Sequence, residues 1–205
     1  MATERDVVSQ DGDLMDEGAA GQDDHVAEAA ALNATARSHL AKGEWEPAVD
    51  AYRQVIHLME EAGDRGGKAE ALNNIASVYL ALMDYDEAMT YATQARELYL
   101  EIDDAVGEAV VLNNIAAAHD GKGDWQKAIE VYDQALALRQ SAGDGEGEAK
   151  TLRNLAILYA QHGNRGKAKS YLNRALVAAR RANSRQLLSD IRKTMSQLPR
   201  LRRRG

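Results

Sequence analysis

Five asparagines stand at matched intervals in this chain of 205 residues. Asn73 and Asn74 are followed 40 residues later by Asn113 and Asn114, and Asn154 stands 40 beyond Asn114. A carboxamide carries both donor and acceptor, the pair needed to grip a peptide backbone without reading its side chains. Residues at i, i+3, i+4 and i+7 of a helix share one face. Glu70, Asn73, Asn74 and Ser77 form such a row, repeated by Val110, Asn113, Asn114, Ala117 and by Lys150, Arg153, Asn154, Ile157. Ala30, Asn33, Ala34 and Arg37 are a faded first copy. The candidate binding set is therefore Asn33, Arg37, Asn73, Asn74, Ser77, Asn113, Asn114, Lys150, Arg153 and Asn154. The alternative is that these asparagines only cap or bridge within their own repeat.

The elements that would carry this row are themselves periodic. Leu72-Asn73-Asn74-Ile75 recurs as Leu112-Asn113-Asn114-Ile115, then as Leu152-Arg153-Asn154-Leu155, with Leu32-Asn33-Ala34-Thr35 before them. A fixed period of this length signals stacked supersecondary units. Asp24, Asp64, Asp104, Asp144 and Ser184 form a ladder of helix N-caps at steps of 40. Glu44, Asp84, Asp124 and Asn164 form a second, of which Glu44 is a poor cap. Gly43, Gly123 and Gly163 precede the second ladder, where a helix must stop at a residue tolerant of positive φ; Met83 is the exception. Two starts and two stops per period give helical hairpins.

The apolar spacing agrees. Leu72, Ile75, Ala76 and Tyr79 follow the stripe of an amphipathic helix, repeated by Leu112, Ile115, Ala116, His119 and by Leu152, Leu155, Ala156, Tyr159. The second helix of each unit carries small Ala at two turns: Ala48 and Ala51, Ala88 and Ala92, Ala128 and Ala135, Ala168 and Ala175. Gly67, Gly107 and Gly147 also recur at 40. A glycine inside a helix costs about 1 kcal/mol against alanine, so its recurrence implies close packing of the backbone.

Leu112, Ile115-Ala116, Gly123, Trp125, Ala128, Tyr132 and Ala135 together resemble the tetratricopeptide repeat pattern. The period of 40 is similar to the longer variety found in kinesin light chains, Pins-type adaptors and bacterial regulatory proteins. The resemblance implies an all-α fold: an α-solenoid of four helical hairpins plus a C-terminal capping helix, wound as a right-handed superhelix. Its first helices would line a concave groove, and Asn74, Asn114 and Asn154 would match the asparagine that clamps a peptide in related adaptors. The expected organisation is an acidic, disordered tail over residues 1–22, units over about 24–63, 64–103, 104–143 and 144–183, a capping helix over 184–198 and a basic tail over 199–205.

Other chemistry is scarce. There is no cysteine, hence no disulfide, no thiolate zinc site and no thiol nucleophile. His39 and His119 fall in slots held elsewhere by Tyr79 and Tyr159, and read as buried, hydrogen-bonded core residues. Trp45, Tyr85 and Trp125 read as packing between helices. No metal or cofactor is implied, no catalytic constellation is evident, and an enzyme is not expected. No apolar run is long enough to span a membrane, which makes a cytoplasmic protein the default. The net charge of −7 hides a polarity: residues 165–205 carry 13 bases and only one acid, Asp190. Arg192, Lys193, Arg200, Arg202, Arg203 and Arg204 are candidate anion-binding residues. The expectation is a non-enzymatic adaptor or assembly chaperone holding a peptide or helix of another protein. The alternatives are a nucleic-acid partner at the basic end, or homo-oligomers joined through acidic and basic ends.

Overall fold

Every twentieth residue from position 43 to position 183 has a left-handed backbone. In the computed structural model, Gly43, Gly63, Met83, Asp103, Gly123, Gly143, Gly163 and Asn183 all have φ between 53° and 93°. The backbone is described for residues 13–198 and side chains for 24–198. Between these joints run α1 (Asp13–Lys42), α2 (Trp45–Glu61), α3 (Arg65–Ala81), α4 (Tyr85–Glu101), α5 (Ala105–Gly121), α6 (Trp125–Ser141), α7 (Gly145–Gln161), α8 (Arg165–Arg181) and α9 (Arg185–Gln197).

One joint shows the rule. Met83 N–H donates to the Leu80 carbonyl at 3.1 Å, and Asp84 N–H reaches back to the Tyr79 carbonyl at 2.9 Å. Together these close the Schellman motif, which satisfies carbonyls that the ending helix leaves open. The same Asp84 then caps α4, its carboxylate accepting from Glu87 N–H at 3.2 Å. Asp64, Asp104, Asp144 and Asn164 cap their helices in the same way. Glu44, Asp124 and Ser184 make no side-chain cap bond.

Two expectations about the start of the chain are corrected. Asp24 is no cap, because it lies inside α1, which already begins at Asp13. Helix thus reaches into residues 13–22, expected as disordered; Leu14, Met15, Glu17, Ala19, Ala20 and Gln22 are good helix formers. Residues 1–12 lie outside the described residues. Thr35 is exposed, and its hydroxyl donates to the Ala31 carbonyl at 3.0 Å.

The chain divides into two compact units, Met1–Ala71 and Leu72–Gly205. In the first, α1 packs on α2, and Ala29, Leu32, Val55, Ile56, Leu58, Met59 and Ala71 form one apolar cluster. In the second, α4 packs on α5, α5 on α6, α6 on α7, α7 on α8, and α9 closes against α8 and α7. Its largest fully buried side chains include Ile75, Leu112, Leu152, Leu155, Leu172 and Ile191. Ile75, Leu112, Leu152 and Leu155 belong to the expected stripes, and Leu187 and Ile191 form the inner face of the last helix. Two buried acids tie successive helices. Glu108 accepts from Arg96 Nε at 2.9 Å and Nη2 at 2.8 Å. Glu148 accepts from Gln140 at 2.9 Å and from Arg181.

The recurring glycines sit where the preceding helix presses a side chain onto the backbone. A Cβ on Gly107 would strike the Tyr99 ring, one on Gly147 the buried Arg139 guanidinium, and one on Gly67 the flexible end of Met59. A ring has no way out, whereas a thioether can move. Gly107→Ala is therefore expected to destabilise the protein by about 1–3 kcal/mol, and Gly67→Ala by less than about 1 kcal/mol in either direction. Met83 is 72% exposed, so little packing is lost when it is replaced. Met83→Gly should stabilise by about 1 kcal/mol, by removing a left-handed non-glycine residue. Urea denaturation followed by circular dichroism measures all three.

Candidate functional site

The asparagine row lies along α3, α5 and α7 of the second unit, and its members are not equivalent. Asn73, only 7% exposed, is an internal acceptor. Its Oδ1 takes a hydrogen bond from Asn114 Nδ2 at 2.7 Å, and its main-chain carbonyl takes one from the Ser77 hydroxyl at 3.0 Å. Asn114 Nδ2 also donates to Ser77 Oγ at 2.9 Å. One repeat further on, Asn113 Nδ2 donates to the Ala109 carbonyl at 2.7 Å. Asn113 Oδ1 accepts from the Thr151 hydroxyl at 3.1 Å and from Asn154 Nδ2 at 3.5 Å. Arg153 ends the series, donating from Nε to Thr194 Oγ1 of α9 at 2.9 Å.

The pattern is a ladder. The second asparagine of one helix leans on the first asparagine of the helix before it, 41 residues earlier. Asn73 and Asn113 thus bridge one repeat to the next, whereas the alternative sequence reading has them bridging within their own repeat. Asn114 and Asn154 spend their amide N–H groups on the ladder. Their Oδ1 atoms accept no hydrogen bond among the described residues.

Asn113, Asn114 and Asn154 come together on one wall of a cavity of about 330 Å³. α5 adds Ala117, Asp120 and Gly121; α7 adds Ile157, Leu158 and Gln161; Leu80, Tyr85 and Tyr132 complete it from α3, α4 and α6. Apolar groups and carboxamides therefore face the same space. Burial pushes the Tyr132 hydroxyl well above its ordinary pKa, and the negative charge of Asp120 adds to the effect. Tyr132 consequently stays a neutral donor.

The other candidates lie apart from this cavity or outside the described residues. Asn33 and Arg37 belong to α1 in the first unit, where Arg37 is exposed. Asn74 is half-buried and Lys150 is exposed. Arg192 and Lys193 are exposed on α9, while Arg200, Arg202, Arg203 and Arg204 lie outside the described residues. His39 Nδ1 pairs with Glu44 Oε2 at 2.6 Å. His119 does not follow the hydrogen-bonded expectation: its buried Nδ1 has no hydrogen-bond partner, with Asp124 Oδ2 at 3.9 Å. Burial, with Lys127 adding to it, holds its pKa below the ordinary histidine value. Among the described residues no cluster could hold a metal, and no helix is long and apolar enough to cross a membrane.

Sequence reasoning missed Asp120, Gly121, Tyr85 and Tyr132 as lining residues. A signal existed for two of them. The slot of Asp120 holds Leu40, Leu80 and Ala160 in the other copies, and that of Gly121 holds Ala41, Ala81 and Gln161. Gly121 is small because the Tyr85 ring lies where its Cβ would be. Trp125, in the slot of Tyr85, stacks on His162 with ring centroids 4.8 Å apart. Both rings pack between helices, as expected.

Stacked helical hairpins with a side-chain ladder between alternate helices define a helical-repeat solenoid. The tetratricopeptide repeat family model matches residues 67–141 and 107–181, and a second model of the same description matches residues 31–66. The chain belongs to the tetratricopeptide repeat family, a class of protein-interaction scaffold. No curated protein matches the sequence significantly. Solved structures of similar fold include aspartyl phosphate phosphatase F from Bacillus subtilis, 15% identical with a TM-score of 0.73, matching 85% of this chain and 46% of that one. BtubC from P. vanneervenii is 24% identical with a TM-score of 0.61, over 76% of this chain and 65% of its own. A Rap protein complexed with competence and sporulation factor is 19% identical with a TM-score of 0.68, over 85% and 51%. The chain thus spans between about half and two thirds of these proteins' lengths.

The ladder separates structural from available asparagines, and stability should reflect this. Thr151 is fully buried and loses its acceptor in Asn113→Ala, at an expected cost of about 1–3 kcal/mol. Asn154→Ala removes one long bond at 3.5 Å and should cost under about 1 kcal/mol. Equal urea midpoints for the two variants would contradict the ladder.

Proposed function

We propose that this chain is a non-enzymatic adaptor or assembly chaperone that holds a peptide or helical segment of another protein against α5 and α7. The observation that carries the reading is the cavity. The Asn114 and Asn154 side chains, anchored through their N–H groups, stand beside Ile157, Ala117 and Leu80 on its wall. Anchored carboxamides lose little further entropy when they meet a main chain, which favours affinity. Apolar walls between them accept a side chain of the same segment. The Rap protein solved with competence and sporulation factor supports the reading through fold alone.

The test uses peptides selected on the purified protein from a randomised phage-displayed library. Ala117→Arg fills the cavity from its wall, and Asn154→Ala removes one carboxamide. Each is expected to weaken a selected peptide by about tenfold or more while leaving helicity unchanged and costing under about 1 kcal/mol of stability. Unchanged affinity in both variants would end the reading.

A further inference from the structure

Tyr132 carries a hydroxyl that the packing of the array does not call for. Its slot holds Tyr52, Ala92 and Leu172 in the other copies, all of them buried. Ala92 and Leu172 show that hydrocarbon alone can fill that place. Tyr132 is only 6% exposed, yet it lines the cavity and makes no hydrogen bond among the described residues. Asp120, on the same cavity, acts electrostatically on the hydroxyl, which puts the polar end of the ring on the cavity side. A buried polar group without a partner costs free energy, so a hydroxyl left open toward a cavity is poised for an acceptor from outside the chain.

The rest of the lining sets what that acceptor can be. Asp120 is the only lining residue with a formal charge at neutral pH, and it is engaged within the protein. His162 Nε2 lies 3.1 Å from its Oδ1, and it has a further interaction besides. A cation would therefore leave water for a cavity with no unengaged counter-charge, and an acid would be repelled by Asp120. A purely apolar group would cover the Tyr132 hydroxyl and leave it unpaired. What remains is neutral and hydrogen-bonding. Gln161 adds a half-buried carboxamide without a partner among the described residues, which brings an acceptor and two donors. Leu80, Ala117 and Ile157 supply hydrocarbon against which one or two methylenes can pack.

Resting on the peptide-binding reading above, we infer that the cavity takes a glutamine or asparagine side chain of the bound segment. The Tyr132 hydroxyl donates to its amide oxygen, and the Gln161 side-chain oxygen accepts from its NH2 group. Asn114 and Asn154 hold the adjoining main chain. Tyr132 thereby sets which side chain enters, and Asp120 keeps acidic ones out.

The test again begins with the randomised phage-displayed library, selected on wild type and on Tyr132→Phe, which removes one oxygen and nothing else. Wild type is expected to enrich glutamine or asparagine at one position, and Tyr132→Phe is expected to lose that enrichment. In a synthetic peptide from the wild-type pool, replacing the carboxamide residue by an aliphatic one of the same length should weaken binding to wild type by about tenfold or more, and to Tyr132→Phe by less than about threefold. An equal penalty on both proteins overturns the inference, as does a wild-type pool enriched in basic, acidic, hydroxyl or apolar residues instead. The urea midpoint of Tyr132→Phe should equal or exceed that of wild type, because the lost hydroxyl has no partner in the free protein; a lower midpoint overturns the inference too. A further measurement needs no variant. The Cζ resonance of Tyr132 in isotopically labelled wild type should shift with the carboxamide peptide and not with its aliphatic analogue, and equal shifts would overturn it. Peptides that bind wild type, Ala117→Arg and Asn154→Ala equally defeat the parent reading instead. Peptides weakened by those two changes but indifferent to Tyr132→Phe defeat this inference alone.

Discussion

The structure depends on a left-handed residue placed every 20 positions. At each joint one backbone conformation ends a helix through two back-reaching hydrogen bonds and delivers the next residue as the start of the following helix. Helices α2 to α8 are consequently all 17 residues long. Five of the eight joints use glycine; Met83, Asp103 and Asn183 adopt the same conformation at some cost. A constraint this local fixes the lengths of the elements before any tertiary contact is considered.

Equal lengths have a consequence at long range. Residues about 40 apart come to lie side by side on successive first helices, so a side chain can contact the equivalent position of the previous repeat. The ladder from Asn73 through Asn114, and from Asn113 through Asn154, depends on that alignment. The recess at Gly107, by contrast, admits Tyr99 across a single joint, from the helix before it. Each hairpin leaves apolar surface that only its neighbours can cover, and stability in such arrays is carried by these interfaces. Within the second unit the pairs Arg96–Glu108 and Gln140–Glu148, each with a buried glutamate, add directional contacts to the apolar packing.

Much of this was legible in the sequence, because repetition makes packing rules visible. The helix pairs and the stripes from Leu72 to Tyr159 follow from period and apolar spacing. Met83 was read as an exception to the glycine stops, yet its backbone obeys the rule; side-chain identity reports conformation only statistically. The start of the chain misled because Asp24 fits the 40-residue cap ladder while the helix continues through it. The site was half legible. Amide chemistry singled out a row of which Asn113, Asn114 and Asn154 line one cavity, but the roles of its asparagines differ only in which neighbour each one meets, and that is decided by the offset between helices. Asp120 and Gly121 could have been found as breaks in the period, since a carboxylate and a glycine replace alanine or larger residues there.

The central claim is that the wall formed by α5 and α7 is where this protein meets its partner. Amide chemical-shift mapping by NMR, with a selected peptide titrated into isotopically labelled full-length protein, tests it most directly. The account predicts that the largest perturbations fall on residues around the cavity, among them Asn114, Gly121, Asn154 and Ile157. Perturbations confined to the outward residues of α4, α6 and α8, with the cavity signals unmoved, would contradict it.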